Sequence, residues 1–289
     1  MIRGMYSSIS GLKAHQTLLD VTANNLANVN TVGYKAARAT FSDNLSQSIR
    51  GASGATQDTA GTNGLQVGLG VKVASVDNLM SGSSTQMTGN PLDLALQGEG
   101  FFTVSKGTPG QPLPAAESFQ YTRAGAMTTT ADGYLTTREG LYVLAYPPAA
   151  AGGPNVGAGP GMLKLPNKAS DIAVGADGAV SYVDHSGGAA DGTRVVGGYL
   201  AISRFPNQAG LNRDGGTLWS ATANSGAVTT GPAAADGNAG VMSGALEMSN
   251  VDLASEFTTM ISAQRGFQAN SRVITASDEM LQDVVNMKR

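Results

Sequence analysis

The sequence predicts an α+β chain: a helix at each end, an extended Gly-rich connector after the first helix, and one mostly antiparallel β domain between them. Three observations carry this. Apolar residues recur every seventh position at both ends; the middle alternates apolar and polar residues in short runs joined by Asp-Gly pairs; and the stretch after the first helix is small, polar and rich in Gly. The expected boundaries are 1–33 for the first helix, 34–75 for the connector, 76–240 for the β domain and 241–289 for the second helix.

In the first helix Met5, Leu12, Leu19 and Leu26 lie seven apart, with Ile2 and Ile9 on the neighbouring row. That is a narrow seam of the kind a partner helix covers in a coiled coil. The helix should stop near Asn30, where Asn and then Gly33 can take left-handed backbone angles. Asn24, Asn25 and Asn28 are poor helix formers yet share a face at spacings of three and four. By themselves they can simply punctuate the helix end.

The stretch "SDNLSQSIRGASGATQDTAGTNGLQVGLG" reads as a connector that lies along something rather than forming a core. Beyond it, "GVKVASVDNL", "LDLALQGEGFFTV", "GLYVLAY", "DIAVGADGAVSYVD" and "VVGGYLAISRF" read as strands, with turns at Asp132-Gly133 and Asp177-Gly178. "PPAAAGGPNVGAGPG" is a surface loop. In the last element Leu253, Met260, Phe267, Ile274 and Leu281 again fall seven apart, and Ser249, Asn250 or Asp252 can cap its start. The two helices could pair within one chain, but that pair is thin, and packing between chains would cover it better.

Composition excludes several functions. A net charge of −3 without basic runs supplies no nucleic-acid footprint. No Cys is present, so disulfides and thiolate metal sites are out, and no apolar stretch is long enough to span a membrane. The N-terminal residues lack a cleavable secretory pattern. His15 and His185, the only histidines, have no second ligand at useful spacing, and no cofactor signature is complete. An enzyme on the β scaffold would need two convergent carboxylates among Asp132, Glu139, Asp177 and Asp184, of which Asp132 and Asp177 occupy turns.

Several long motifs, in order, resemble one family. "SGLKAHQTLLDVTANNLANVNTVGYKAARATF", "GNPLDLALQGEGFF", "YTRAGAMTTTADGYLTTREGLYVL" and "SGALEMSNVDLASEFTTMISAQRGFQANSRVITASDEML" are similar to bacterial flagellar axial proteins, the rod and hook subunits that build a tube. The resemblance implies that the terminal helices form a coiled-coil inner layer and that the β domain lies outside it. It implies self-assembly through the Met5 to Leu26 and Leu253 to Leu281 rows, with the amides of Asn24, Asn25 and Asn28 bonding a neighbouring subunit to fix register, and with no enzyme activity and no cofactor. Expected partners are further copies in a helical homopolymer; distal rod, hook cap and hook–filament junction proteins; and the type III export apparatus. In "FSDNL", Phe41 and Leu45 match the export-gate pattern of such subunits. The expected location is the flagellar basal body and hook, outside the cell after export. Between the two principal roles, the last helix and "GYLAISRFPNQAGLNRDGGTLWSATANSG" point to the flexible hook, and the length of the connector to the rigid distal rod.

Overall fold

The computed structural model describes residues 2–54, 60–107, 119–149, 153–166, 169–185, 192–235 and 237–287. Among them are two α-helices, α1 (Ile2–Ala27) and α2 (Leu253–Asn286), and a large antiparallel β-sheet, an α+β fold. The chain forms two compact units. The helical unit comprises Met1–Asn28, Ala36–Leu79 and Val251–Arg289; the β unit comprises Val29–Lys35 and Met80–Asn250.

In the β unit the main path of the sheet runs Ala169–Val174, Ala179–Asp184, Arg194–Arg204, Tyr142–Tyr146, Phe101–Ser105, Gln120–Thr122, Leu218–Ser220 and Asn212–Gly215. Successive side chains of a strand point to opposite faces, and here both faces are covered. Phe102, Val104, Val143, Leu200 and Ile202 join one core, whereas Phe101, Leu144, Tyr146, Tyr199 and Ala201 join a second. This is why "FFTV" and "YLAI" are buried along their whole length rather than alternating with exposed residues. The Asp177-Gly178 turn forms as its sequence predicts: Gly178 has φ 74°, and the Asp177 carboxylate accepts the Ala179 amide at 3.2 Å.

In the helical unit, residues expected to run as an extended connector fold back on themselves. Strand Ala37–Asp43 pairs antiparallel with Val71–Asn78, and Ser46–Arg50 with Leu65–Gly68. Ala39 opposite Val76 and Phe41 opposite Val73 show the cause, because a half-buried strand pattern lies on both sides of the Gly-rich tip. The helix ends also differ from expectation in one respect. α1 stops at Ala27, but only Gly33, at φ 69°, takes the left-handed angle expected there; Asn30 lies in a turn without it. Asp252 caps α2, accepting the Ala254 amide at 2.9 Å.

Candidate assembly interface

α1 and α2 pack antiparallel within the helical unit. Asn25 meets Glu256, a Cβ on Gly266 would lie 2.6 Å from the His15 ring, and one on Gly11 would lie 2.7 Å from the Asn270 amide. Glycines at these points let the helices approach more closely than larger side chains would. The buried face of α1 is therefore Ser8, Gly11, Ala14, Thr22 and Asn25, while Met5, Leu12, Leu19 and Leu26 are half-buried flanks. On α2, Ala263 and Ser277 are buried; Met260, Phe267, Ile274 and Leu281 are half-buried, and Leu253 is exposed. Phe257, Ile261, Val273, Met280 and Val284 are each 45–55% exposed, a large apolar allotment for a helix facing water.

The Asn cluster has two local roles. Asn25 is buried, and its amide is used on three sides: Nδ2 donates to the Ala37 carbonyl at 2.8 Å and to Glu256 Oε1 at 3.0 Å, and Oδ1 accepts the Ala37 amide at 2.9 Å. It therefore joins α1 to strand Ala37–Asp43 and to α2 within one chain. Asn28 donates to the carbonyl and side-chain oxygens of Asn24 at 2.9 and 3.0 Å, closing the last turn. Burial raises the Glu256 carboxyl above its usual range; the Asn25 bond opposes this, and the nearby Asp252 charge adds to it. Phe41 is 40% exposed, its ring centroid 6.2 Å from that of His15, and Leu45 is 74% exposed.

Sequence reasoning missed a buried charge cluster in the β unit. Lys35 Nζ donates to Glu247 Oε1 at 2.6 Å and to the Ser81 carbonyl at 2.8 Å. Arg123 Nη1 reaches Glu247 Oε2 at 3.1 Å, its Nη2 donates to the Gly98 carbonyl at 2.8 Å, and Ser83 Oγ donates to Glu247 Oε1 at 3.2 Å. All three charged side chains are almost wholly buried. Burial works to raise the Glu247 carboxyl, but Arg123 and Lys35 together outweigh it and hold it below the usual range. Lys35 faces a single anion and the Arg123 cation besides, so for it burial wins and its ammonium is lowered. The available signal was one charged residue in each of "GYK", "YTRAG" and "GALEM", in a chain only 13% charged.

Elsewhere in the β unit, Glu139 lines a cavity of about 250 Å³ with Thr31, Arg138 and Thr217. Burial raises its carboxyl, but among the described residues no second carboxylate lines that cavity to make the pair a hydrolase needs. Among the described residues no group of three His, Asp or Glu is placed to hold a metal, and no helix is long and apolar enough to cross a membrane.

Comparison with known proteins locates similarity along the whole chain. Residues 5–35 match the family described as flagella basal body rod protein, residues 95–182 the flagellar hook protein FlgE/F/G D1 domain, and residues 242–287 the flagellar basal body rod FlgEFG protein C-terminal family. The flagellar basal-body rod protein FlgG of Bacillus subtilis (strain 168) is 44% identical over 290 residues, covering all of both chains. The protein of the same name from Agrobacterium fabrum is 38% identical over 281 residues, 96% of this chain and 97% of its own. The flagellar hook protein FlgE of Borreliella burgdorferi is 29% identical, in an alignment that needs 450 positions to cover both chains.

Proposed function

Since the chain belongs to the bacterial flagellar rod and hook family of axial proteins, we propose that it is a distal rod subunit, polymerising into the rigid shaft that carries torque from the motor. The family is a structural component of the flagellum, not an enzyme family, and its members self-assemble along the flagellar axis.

The observation that supports rod over hook is end-to-end similarity to rod proteins at matched length. The hook relative is matched only across a much longer alignment, so much of it has no counterpart here. This reverses the preference that the sequence motifs suggested. In the rod reading α1 and α2 contribute to a coiled-coil inner layer, and the exposed α2 residues Phe257, Ile261 and Val284 meet helices of neighbouring copies. The paired strands Ala37–Asp43 with Val71–Asn78 and Ser46–Arg50 with Leu65–Gly68 take the place of a loose connector.

Electron microscopy of flagellar bases from cells lacking this gene tests the assignment. A shaft that ends inside the envelope, restored by complementation, is the expected result. A complete shaft lacking only its curved external segment would return the chain to the hook.

A further inference from the structure

Asn63-Gly64 is the only Asn-Gly pair in the chain, and the fold leaves both of its reacting groups free. The pair lies in the helical unit between two paired positions of one hairpin. On one side Ser53 and Thr62 exchange two backbone hydrogen bonds at 3.0 Å; on the other Arg50 faces Leu65. Asn63 and Gly64 are both exposed. Among the described residues none bonds the Asn63 carboxamide and none accepts the Gly64 amide; only the main-chain carbonyl of Asn63 is engaged, accepting Arg50 Nη2 at 3.3 Å.

The other asparagines followed by a small residue are held. Ser225, after Asn224, is buried and donates its amide to the Thr222 carbonyl at 3.1 Å. Asn270-Ser271 lies inside α2, where the helix occupies each main-chain amide. Ala239, after Asn238, is buried. At Asn63 alone, an unengaged side-chain amide is followed by an unengaged main-chain nitrogen on a residue without a Cβ, so the two can swing into attack geometry.

We propose that Asn63 is a self-modification site, at which the Gly64 amide nitrogen displaces ammonia from the Asn63 side chain. The nitrogen bonds to Cγ, the Cγ–Nδ2 bond breaks, the Gly64 amide proton passes through solvent to the departing amine, and a cyclic imide is left. Water then opens the ring at Cγ to give aspartate, or at the main-chain carbonyl to give isoaspartate. The new carboxylate is ionised at neutral pH and arises beside Arg50, in a hairpin whose Ile49, Leu65 and Val67 are exposed apolar residues. Isoaspartate also lengthens the main chain between the Ser53–Thr62 and Arg50–Leu65 pairs, which upsets their register. Conversion accumulates with time, so the hairpin dates each copy. The inference holds equally for a rod or a hook subunit.

Peptide-mapping mass spectrometry of the full-length chain, held in mildly alkaline buffer and sampled over days, tests it. The peptide holding Asn63 should exchange ammonia for water at least roughly tenfold faster than any other asparagine peptide, and folding should slow it by less than about tenfold relative to the urea-unfolded chain. G64A fits the fold, because the nearest atom to its Cβ would be the Arg50 carbonyl oxygen at 3.4 Å. That variant should convert about tenfold more slowly or less still, with the circular-dichroism midpoint unchanged. Stronger protection of Asn63 by folding, another asparagine matching its rate, or an undiminished rate in G64A would overturn the proposal.

Discussion

Asn25 and Glu247 are single residues on which several segments depend, and neither role follows from its neighbours in sequence. With its amide engaged on three sides, Asn25 is a clamp inside the helical unit. Asn25→Ala strips the Ala37 amide and carbonyl of their partner in a buried place, at a cost of about 2–3 kcal/mol. A urea titration followed by helical circular dichroism should show this as a lower midpoint with an unchanged slope. For Glu247 the sign follows from its depressed carboxyl. Its contribution is fully present above the ordinary value of 4.5 and is lost as pH falls through the lower folded value, while Lys35, Arg123 and Ser83 are the polar groups facing it. The calorimetric midpoint of the β unit should hold steady from neutral pH down to that value and drop below it. Substituting Gln removes this acid-sensitive step and costs about 3–5 kcal/mol at neutral pH, since two buried cations then lack an anion. The identity of both residues stood in recognisable motifs, but Asn25 reaches past the helix end to Ala37 and on to Glu256, and Glu247 reaches back to Lys35 and Arg123, separations that spacing within one segment does not carry.

At the scale of elements, periodicity located both helices, and residue type gave the Asp177-Gly178 turn and narrowed the α2 cap to Ser249, Asn250 or Asp252, because each rests on neighbours within one or two turns of chain. It carried no expectation of where α1 and α2 approach most closely. A seven-residue apolar row marks the side that faces a partner, but the tightest line runs through Gly11, Ala14, Gly266 and Ala263, residues that an apolar count ignores. It also missed the pairing of residues 37–43 with 71–78, since strand partners so far apart leave no local trace. What remains uncovered on α2 now has a definite test. Phe257 and Ile261 are about half exposed, so changing both to Ser should alter the unfolding free energy of the isolated chain by less than about 0.5 kcal/mol. The same pair should abolish pelletable polymer in a sedimentation assay, because truncating anchors in an interface costs far more than truncating them in water. Normal polymerisation of that variant would remove this face of α2 from the assembly.

For the whole molecule, the helical unit is discontinuous in sequence: its pieces come from the start, the early part and the end of the chain, and the β unit is completed by residues up to Asn250. Glu256, Gly266 and Asn270, which meet α1, all follow that point. Any process that delivers the chain from its N-terminus thus presents α1 before the β unit and its mate after it. Throughout that interval α1 has the strands Ala37–Asp43 and Val71–Asn78 to close upon but not α2, whereas every described strand of the β unit has already emerged. The arrangement imposes a timetable: the sheet can mature early, and the helical pair is always the final joint to be made.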